Sequence, residues 1–307
     1  MERTITNFRG IYGILTAAFG SNLDLDEASM RRQAEFCVRG GSHGIVVPVN
    51  ASEFIVLSDE ERRNCIRWTV EQTAGRVPVI AGITAQSAHQ AVEFARFAKA
   101  VGADGVIAMP PYVHKAPFSA IIEYYSRIAD AAQLPVFIQN YIPPVGTPLS
   151  AQQCVEIVQK VPLALYVKEE TEHSGHVISE IDRLTKDLPE GSYFGTMGGK
   201  ASRYLIDEYR RNACGNMPAC DIVDINAKIW NYLDAGQEES AIALFEKALP
   251  LTNMEYMFGY IFYKAVLKRR GVIENSIVRV AGDNHLDELD LYEMDRILQS
   301  LESEFIV

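Results

Sequence analysis

The sequence predicts an α/β chain built as one (β/α)8 TIM barrel with a C-terminal helical extension. Three observations carry that expectation. Short apolar runs alternate with longer segments of helical period, the alternation recurs eight times, and helical segments open on Asp or Ser and close on glycine. Strands that are apolar almost throughout and joined by helical crossovers imply a parallel sheet covered on both faces. Eight such units in about 220 residues fit a closed barrel.

Taken in order, the first strand is read at Gly10 to Phe19 (GIYGILTAAF), with the crossover DEASMRRQAEFCVRGG after it. The second is Gly44 to Asn50 (GIVVPVN), leading into SDEERRNCIRWTVEQTAG, and the third is Val77 to Ile83 (VPVIAGI), leading into SAHQAVEFARFAKAVGADG. The fourth and fifth are Asp104 to Pro110 (DGVIAMP) and Pro135 to Asn140 (PVFIQN). The sixth is Leu163 to Glu170 (LALYVKEE), the seventh Ser192 to Met197 (SYFGTM), and the eighth, short and lightly β-branched, Ala213 to Ala219 (ACGNMPA). An open doubly wound sheet is the competing architecture. It is weakened because GxGxxG does not follow the first strand and GxxxxGK[ST] occurs nowhere. Three helical stretches follow the barrel, Glu238 to Leu249, Asn253 to Arg270 and Leu286 to Glu304, with no Gly/Ser/Pro-rich linker. Residues 1–235 are therefore read as the barrel and 236–307 as a helical bundle packed on it.

Composition bounds the function. The 307 residues are 48% hydrophobic and 22% charged, an ordinary globular balance that excludes a disordered or fibrous chain. Forty acidic against 29 basic residues give a formal charge of −11, and apart from Lys268, Arg269 and Arg270 the basic residues are scattered. That argues against nucleic acid and membrane as partners but leaves a small anionic ligand open, because a pocket sets its own local field. The five cysteines are widely spaced and show no CxxC pattern, so neither a disulfide framework nor a zinc ribbon is expected. The N-terminus MERTITNFRG is polar where a signal peptide is apolar, and no run approaches the roughly 18 apolar residues of a membrane span. A cytoplasmic enzyme without a cofactor is expected.

Active sites of such barrels lie where the strands end. Lys168 is at the end of the sixth strand, behind apolar residues whose desolvation favours the neutral, nucleophilic amine. The competing reading is a lysine paired with Glu169 or Glu170, and position alone does not separate the two. Glu170 is read either as an acid/base beside Lys168 or as a carboxylate that only pairs with it. Gly195 with Thr196, and Gly215, are read at the ends of the seventh and eighth strands, where glycine permits close approach of a ligand or simply forms a turn. His173-x-x-His176 has the spacing of a metal pair but is read as solvated, so no metal is expected.

The opening GIYGILTAAF, LSDEER after the second strand, GRVPVIAGI at the third, MPPY after the fourth and VKEET at the sixth together resemble the dihydrodipicolinate synthase and N-acetylneuraminate lyase superfamily. The resemblance spans nearly the whole chain. It implies class I chemistry, in which the lysine of the motif matched by VKEET forms a Schiff base with a 2-keto acid, and it gives that role to Lys168. It also implies that Tyr112 of MPPY is a tyrosine inserted by a neighbouring subunit, and that the assembly is a homotetramer, a dimer of dimers.

Departures from the family pattern point to a branch. Where relatives carry a GTTGE-like carboxylate-holding loop, this chain reads Val49-Asn50-Ala51-Ser52-Glu53, so Asn50, Ala51 and Ser52 with the loop amides become the carboxylate-binding candidates. Glu53 is given a structural role. The relay tyrosine of the fifth strand aligns to Gln139 in FIQNYIPPVGTPLS, with Asn140 and Tyr141 beside it as substrate-contact candidates. Asn140 is read either as orienting substrate hydroxyls or as capping a turn. The NASE loop, the glutamine before PxxGT and a glutamate two past the lysine resemble the 2-keto-3-deoxy-sugar-acid dehydratases, L-2-keto-3-deoxyarabonate dehydratase in particular. The resemblance thus implies dehydration of a 2-keto-3-deoxy sugar acid, with Lys168, Glu170, Tyr112 and Gln139 as catalytic candidates. Aldol cleavage or synthesis through the same imine is the runner-up, as in pyruvate-dependent aldolases or dihydrodipicolinate synthase. A non-catalytic keto-acid-binding barrel is the third reading.

Overall fold

The structure is a computed structural model that describes residues 7–143, 145–282 and 284–307. The polar N-terminal stretch 1–6, read as no signal peptide, and Pro144 of the PxxGT motif lie outside the described residues. Eight strands close into a parallel barrel in chain order: β1 (Gly10–Ile14), β2 (Gly44–Val47), β3 (Val79–Gly82), β4 (Gly105–Ala108), β5 (Val136–Tyr141), β6 (Ala164–Glu170), β7 (Gly195–Gly198) and β8 (Gly215–Asn216). The crossover helices are α1 (Glu27–Arg39), α2 (Asp59–Thr73), α3 (Ala88–Val101), α4 (Phe118–Ala132), α5 (Ala151–Lys160), α6 (Ser174–Thr185) and α7 (Leu205–Arg210), with α8 (Val223–Asp234) following β8. Their starts follow from the sequence. Asp26, Ser58, Ser87 and Ser150 each accept a hydrogen bond from a first-turn amide, and Ser58 with Glu61 and Ser150 with Gln153 form capping boxes.

Alternate strand residues fill the barrel, among them Ile14, Val46, Ile80, Ile107, Phe137, Tyr166 and Met197. Phe8, just before β1, plugs the N-terminal end. Its ring lies 5.5 Å from both Phe137 and Tyr166, and its amide donates to the Tyr166 hydroxyl at 3.0 Å. The cavity described below lies at the other, C-terminal end of the barrel. The barrel closes between β8 and β1, where a Cβ on Gly215 would lie 2.2 Å from the Gly10 carbonyl oxygen, so this junction requires glycine.

Three strand boundaries differ from expectation. β1 ends at Ile14; Leu15 to Phe19 continue as buried coil because Gln33 of α1 accepts from both the amide and the hydroxyl of Thr16, at 2.9 and 3.0 Å. β8 is only two residues long. β7 begins at Gly195 and runs to Gly198, later than the apolar Tyr193-Phe194 pair suggested, and this shift moves the end of the strand.

Beyond the barrel lie α9 (Glu238–Phe258), α10 (Tyr260–Arg269) and α11 (Glu288–Leu301). The helix break expected between Leu249 and Asn253 falls at Gly259 instead, whose φ of 61° ends α9. Pro250 lies inside α9 without ending it; the apolar face Ala241, Leu244, Ala248, Leu251 and Met254 is held in one core with α1, α8 and α11, which overrides the local cost of proline. The segment after α10 is fastened to the barrel by Glu53. This fully buried carboxylate accepts from the Arg279 and Val280 amides at 2.8 and 2.9 Å and pairs with the equally buried Lys264. Among the described residues no helix is long and apolar enough to cross a membrane.

Candidate active site

At the C-terminal end of the barrel a cavity of about 300 Å3 is lined by the ends of β1, β5 and β6, the loops after β2, β5, β7 and β8, and the α9–α10 junction. Lys168 lines it from β6 and is 1% exposed. Its Nζ is 3.0 Å from Glu170 Oε2. The expected pairing with a neighbouring carboxylate is thus with Glu170, because alternate strand residues share a face. Glu169 turns the other way, accepting from Asn140 Nδ2 at 2.7 Å and the Thr171 amide at 2.7 Å.

Glu170 is held by more than the lysine. Gln139, directly opposite Lys168 in the β5–β6 register, donates from Nε2 to Glu170 Oε2 at 2.8 Å. The Lys200 amide approaches Oε1 at 3.4 Å. Gln139 Oε1 is buried with no donor among the described residues. The carboxylate fits there only because residue 199 is glycine: a Cβ at that position would lie 2.3 Å from Glu170 Oε1. A Lys–Glu–Gln row of this kind can hold a proton between amine and carboxylate across a single hydrogen bond.

Of the other sequence-read residues, Asn50, Ala51 and Tyr141 line the same cavity. Burial, then the field of Glu170, pushes the Tyr141 hydroxyl up, so it stays protonated. Ser52 is buried and does not line the cavity. Its hydroxyl accepts from the Val49 amide at 3.1 Å and donates to the Leu15 carbonyl at 2.5 Å, fixing the loop that presents Asn50 and Ala51. Asn140 is also outside the cavity; besides Glu169 it bonds both the carbonyl and the amide of Leu149, at 2.9 and 2.7 Å, and so pins the β5–α5 loop.

Gly195 and Thr196 lie at the start of β7, not its end. Gly195 backs onto Cys214, and the Thr196 hydroxyl bonds that of Tyr193. Tyr112 does not line the cavity of its own chain and packs edge-on against Phe54 at 5.9 Å. His173 and His176 stack at 5.8 Å beside a separate depression, and among the described residues no three His, Cys, Asp or Glu side chains converge as a metal site would need.

Several lining residues were not foreseen. Lys200 and Ala201 follow the true end of β7, and the GGK run was the available signal. Glu255, Tyr256, Tyr260 and Tyr263 come from α9 and α10. A dense run of tyrosines around a helix-breaking glycine was the only trace of them in the sequence. Behind β7, Glu208 accepts from Ser174 Oγ and Asn216 Nδ2, both at 2.8 Å, and burial raises its carboxyl from the ordinary 4.5 to about 7.

Comparison with known proteins agrees with this geometry. The model of the dihydrodipicolinate synthetase family matches residues 7–202. The chain is 31% identical to the L-2-keto-3-deoxyarabonate dehydratase of Azospirillum brasilense, covering 86% of this chain and 85% of that one. It is 35% identical to the 4-hydroxy-tetrahydrodipicolinate synthase of Bradyrhizobium diazoefficiens, covering 81% of each. Among solved structures, dihydrodipicolinate synthase from Rhodopseudomonas palustris superposes with a TM-score of 0.87 at 24% identity, covering 97% of this chain and 99% of that one. With the barrel, the strand-end lysine and these matches together, the chain belongs to the dihydrodipicolinate synthetase family, whose members are lyases that work through a lysine Schiff base.

Proposed function

We propose that the protein dehydrates a 2-keto-3-deoxy sugar acid through an imine on Lys168. The observation that carries this reading is Glu170, held between Lys168 and Gln139 by two bonds to one oxygen, where it reaches the amine and any carbon bound next to it. The similarity to the Azospirillum dehydratase points the same way.

In this mechanism Lys168 passes a proton to Glu170 and adds to the C2 keto carbon. The departing oxygen takes one proton back from Glu170 and a second from the attacking nitrogen and leaves as water, which gives a protonated imine. The resulting imine draws electrons from C3, whose proton passes to Glu170. The C3–H electron pair then flows on to expel the C4 hydroxyl, which collects that proton and leaves as a second water. A proton lost from C5 and regained at C3 then moves the double bond to C4=C5, and this enol passes its hydroxyl proton to C4 as it becomes the C5 carbonyl. Hydrolysis of the imine frees the lysine, and no carbon–carbon bond breaks. Asn50 and Ala51 face the cavity where the substrate carboxylate would rest, with Ser52 shaping their loop. Gln139 orients Glu170, and its unpaired Oε1 can accept from a substrate hydroxyl or the imine N–H. Tyr112, turned away from its own cavity, fits a homotetramer in which it serves a neighbouring subunit.

The test is incubation with a panel of 3-deoxy-2-keto sugar acids. Dehydration yields a 2-keto semialdehyde from a five-carbon member, or a 2,5-diketo acid from a longer one, with every carbon retained. Release of pyruvate and an aldehyde would overturn this reading in favour of aldol cleavage, and no turnover of any member would favour a keto-acid-binding barrel.

A further inference from the structure

The far wall of the cavity holds a carboxyl that the dehydration mechanism leaves unused. Glu255 of α9 lines the cavity together with Lys168, yet it is 8% exposed, and among the described residues nothing donates a hydrogen bond to its carboxyl. Behind it, in the turn after β8, Asp221 is 1% exposed and neither of its carboxyl oxygens has a partner among the described residues. The nearby donors are committed elsewhere. Arg270 gives its hydrogen bonds to Asp224, at 2.9 and 2.7 Å, and to the backbone carbonyl of Asp221 at 2.7 Å. The Tyr263 hydroxyl donates to the Ala51 carbonyl at 3.0 Å.

Buried polar groups are rarely left without partners, and those that are commonly await a ligand or water. We propose that Glu255, backed by Asp221, is a hydroxyl-binding subsite that takes the uncharged, hydroxylated tail of the keto acid and disfavours a second carboxylate. This rests on the reading of Lys168 as the imine lysine, which places the keto end of the ligand at β6 and leaves its tail to reach α9.

The chemistry of the pair supports a hydroxyl. Burial, then the field of Asp221 and Cys220, drives the Glu255 carboxyl well up; burial also raises Asp221 to about 7, against the opposing pull of nearby backbone amides and of Arg270, with Asp224 adding a smaller rise. A carboxyl that keeps its proton donates through O–H and accepts through C=O, matching a hydroxyl that does both. A terminal carboxylate only accepts, so it would leave the C=O of the carboxyl without a donor and would itself lose water on entering this buried wall.

The test compares wild type with Glu255→Ala, Glu255→Met and Glu255→Gln on a hydroxylated 3-deoxy-2-keto acid, with borohydride trapping of pyruvate, which has no tail, as the control for the imine. The inference predicts that the Ala and Met variants raise KM about tenfold, the worth of roughly one hydrogen bond, with a smaller effect on kcat, and that Gln restores KM. Loss of an unpaired buried carboxyl is not expected to unfold the chain, and Met keeps the volume if Ala proves too small. A KM within about twofold of wild type in all three variants, with pyruvate still trapped, would overturn the subsite and leave the imine reading standing. Failure of the wild type to trap pyruvate would overturn both.

Discussion

Replacing Gly199 by alanine perturbs the proposed acid/base without touching Lys168. The added methyl carbon would lie 2.3 Å from Glu170 Oε1 and 2.7 Å from its Cδ and Cγ, where ordinary contact begins at 3.4 Å. The carboxylate must therefore shift by about 1 Å from the position in which it meets the amine at 3.0 Å. The clash is with the far end of a side chain, so the fold should persist. Misplacement of a catalytic group by about 1 Å costs about 100-fold in rate, or roughly 2.7 kcal/mol of barrier. Steady-state turnover of the hydroxylated keto acid, read beside thermal unfolding and pyruvate trapping, separates the effects. The expected result is a fall in kcat of about two orders of magnitude with near-native unfolding. A well-folded variant with kcat within about threefold of wild type would show that Glu170 need not stand where the structure holds it.

Other consequences can be measured without turnover. Glu208 has a folded-state value near 7, above its ordinary 4.5, so the native chain keeps a proton that the unfolded chain releases. The stability this contributes is complete below pH 4.5 and is lost as pH rises through about 7, a span worth about 3 kcal/mol. Urea unfolding of Glu208→Gln across that window should lose this part of the pH slope, and curves parallel to wild type would refute it. Lys264→Met leaves the buried Glu53 without its cation and should cost about 3–5 kcal/mol, whereas Glu53→Gln with Lys264→Met should recover part of it. A loss below about 1 kcal/mol for the single variant would mean that the amides of Arg279 and Val280 suffice to hold the carboxylate.

The barrel was legible because its strands are buried on both faces and therefore apolar, a signal that depends only on local composition. It faded where backbone closure, not side chains, makes the strand: β8 is a Gly-Asn pair set against Gly10, and β7 is glycine at two of its four positions, with Thr196 and Met197 between them, so its end was placed too early. Gly195 and Thr196 were consequently singled out in place of Lys200 and Ala201. Lys168 and Glu170 were found because they stand at a strand end, and Asn50, Ala51 and Tyr141 through the family resemblance; all line one cavity. Ser52 and Asn140 have polar side chains in the right loops, but the neighbouring backbone uses their hydrogen bonds, which spacing does not reveal. Glu255 and the tyrosines of α9 and α10 required knowledge of which helix face covers the barrel mouth. That is a property of tertiary packing.

The central claim is that Lys168 forms the imine. Incubation of the full-length protein with pyruvate and borohydride, followed by digestion and mass spectrometry, tests it most directly. The account predicts a single reduced adduct on the peptide carrying Lys168, absent in Lys168→Ala. No adduct, or one on Lys200 instead, would contradict it.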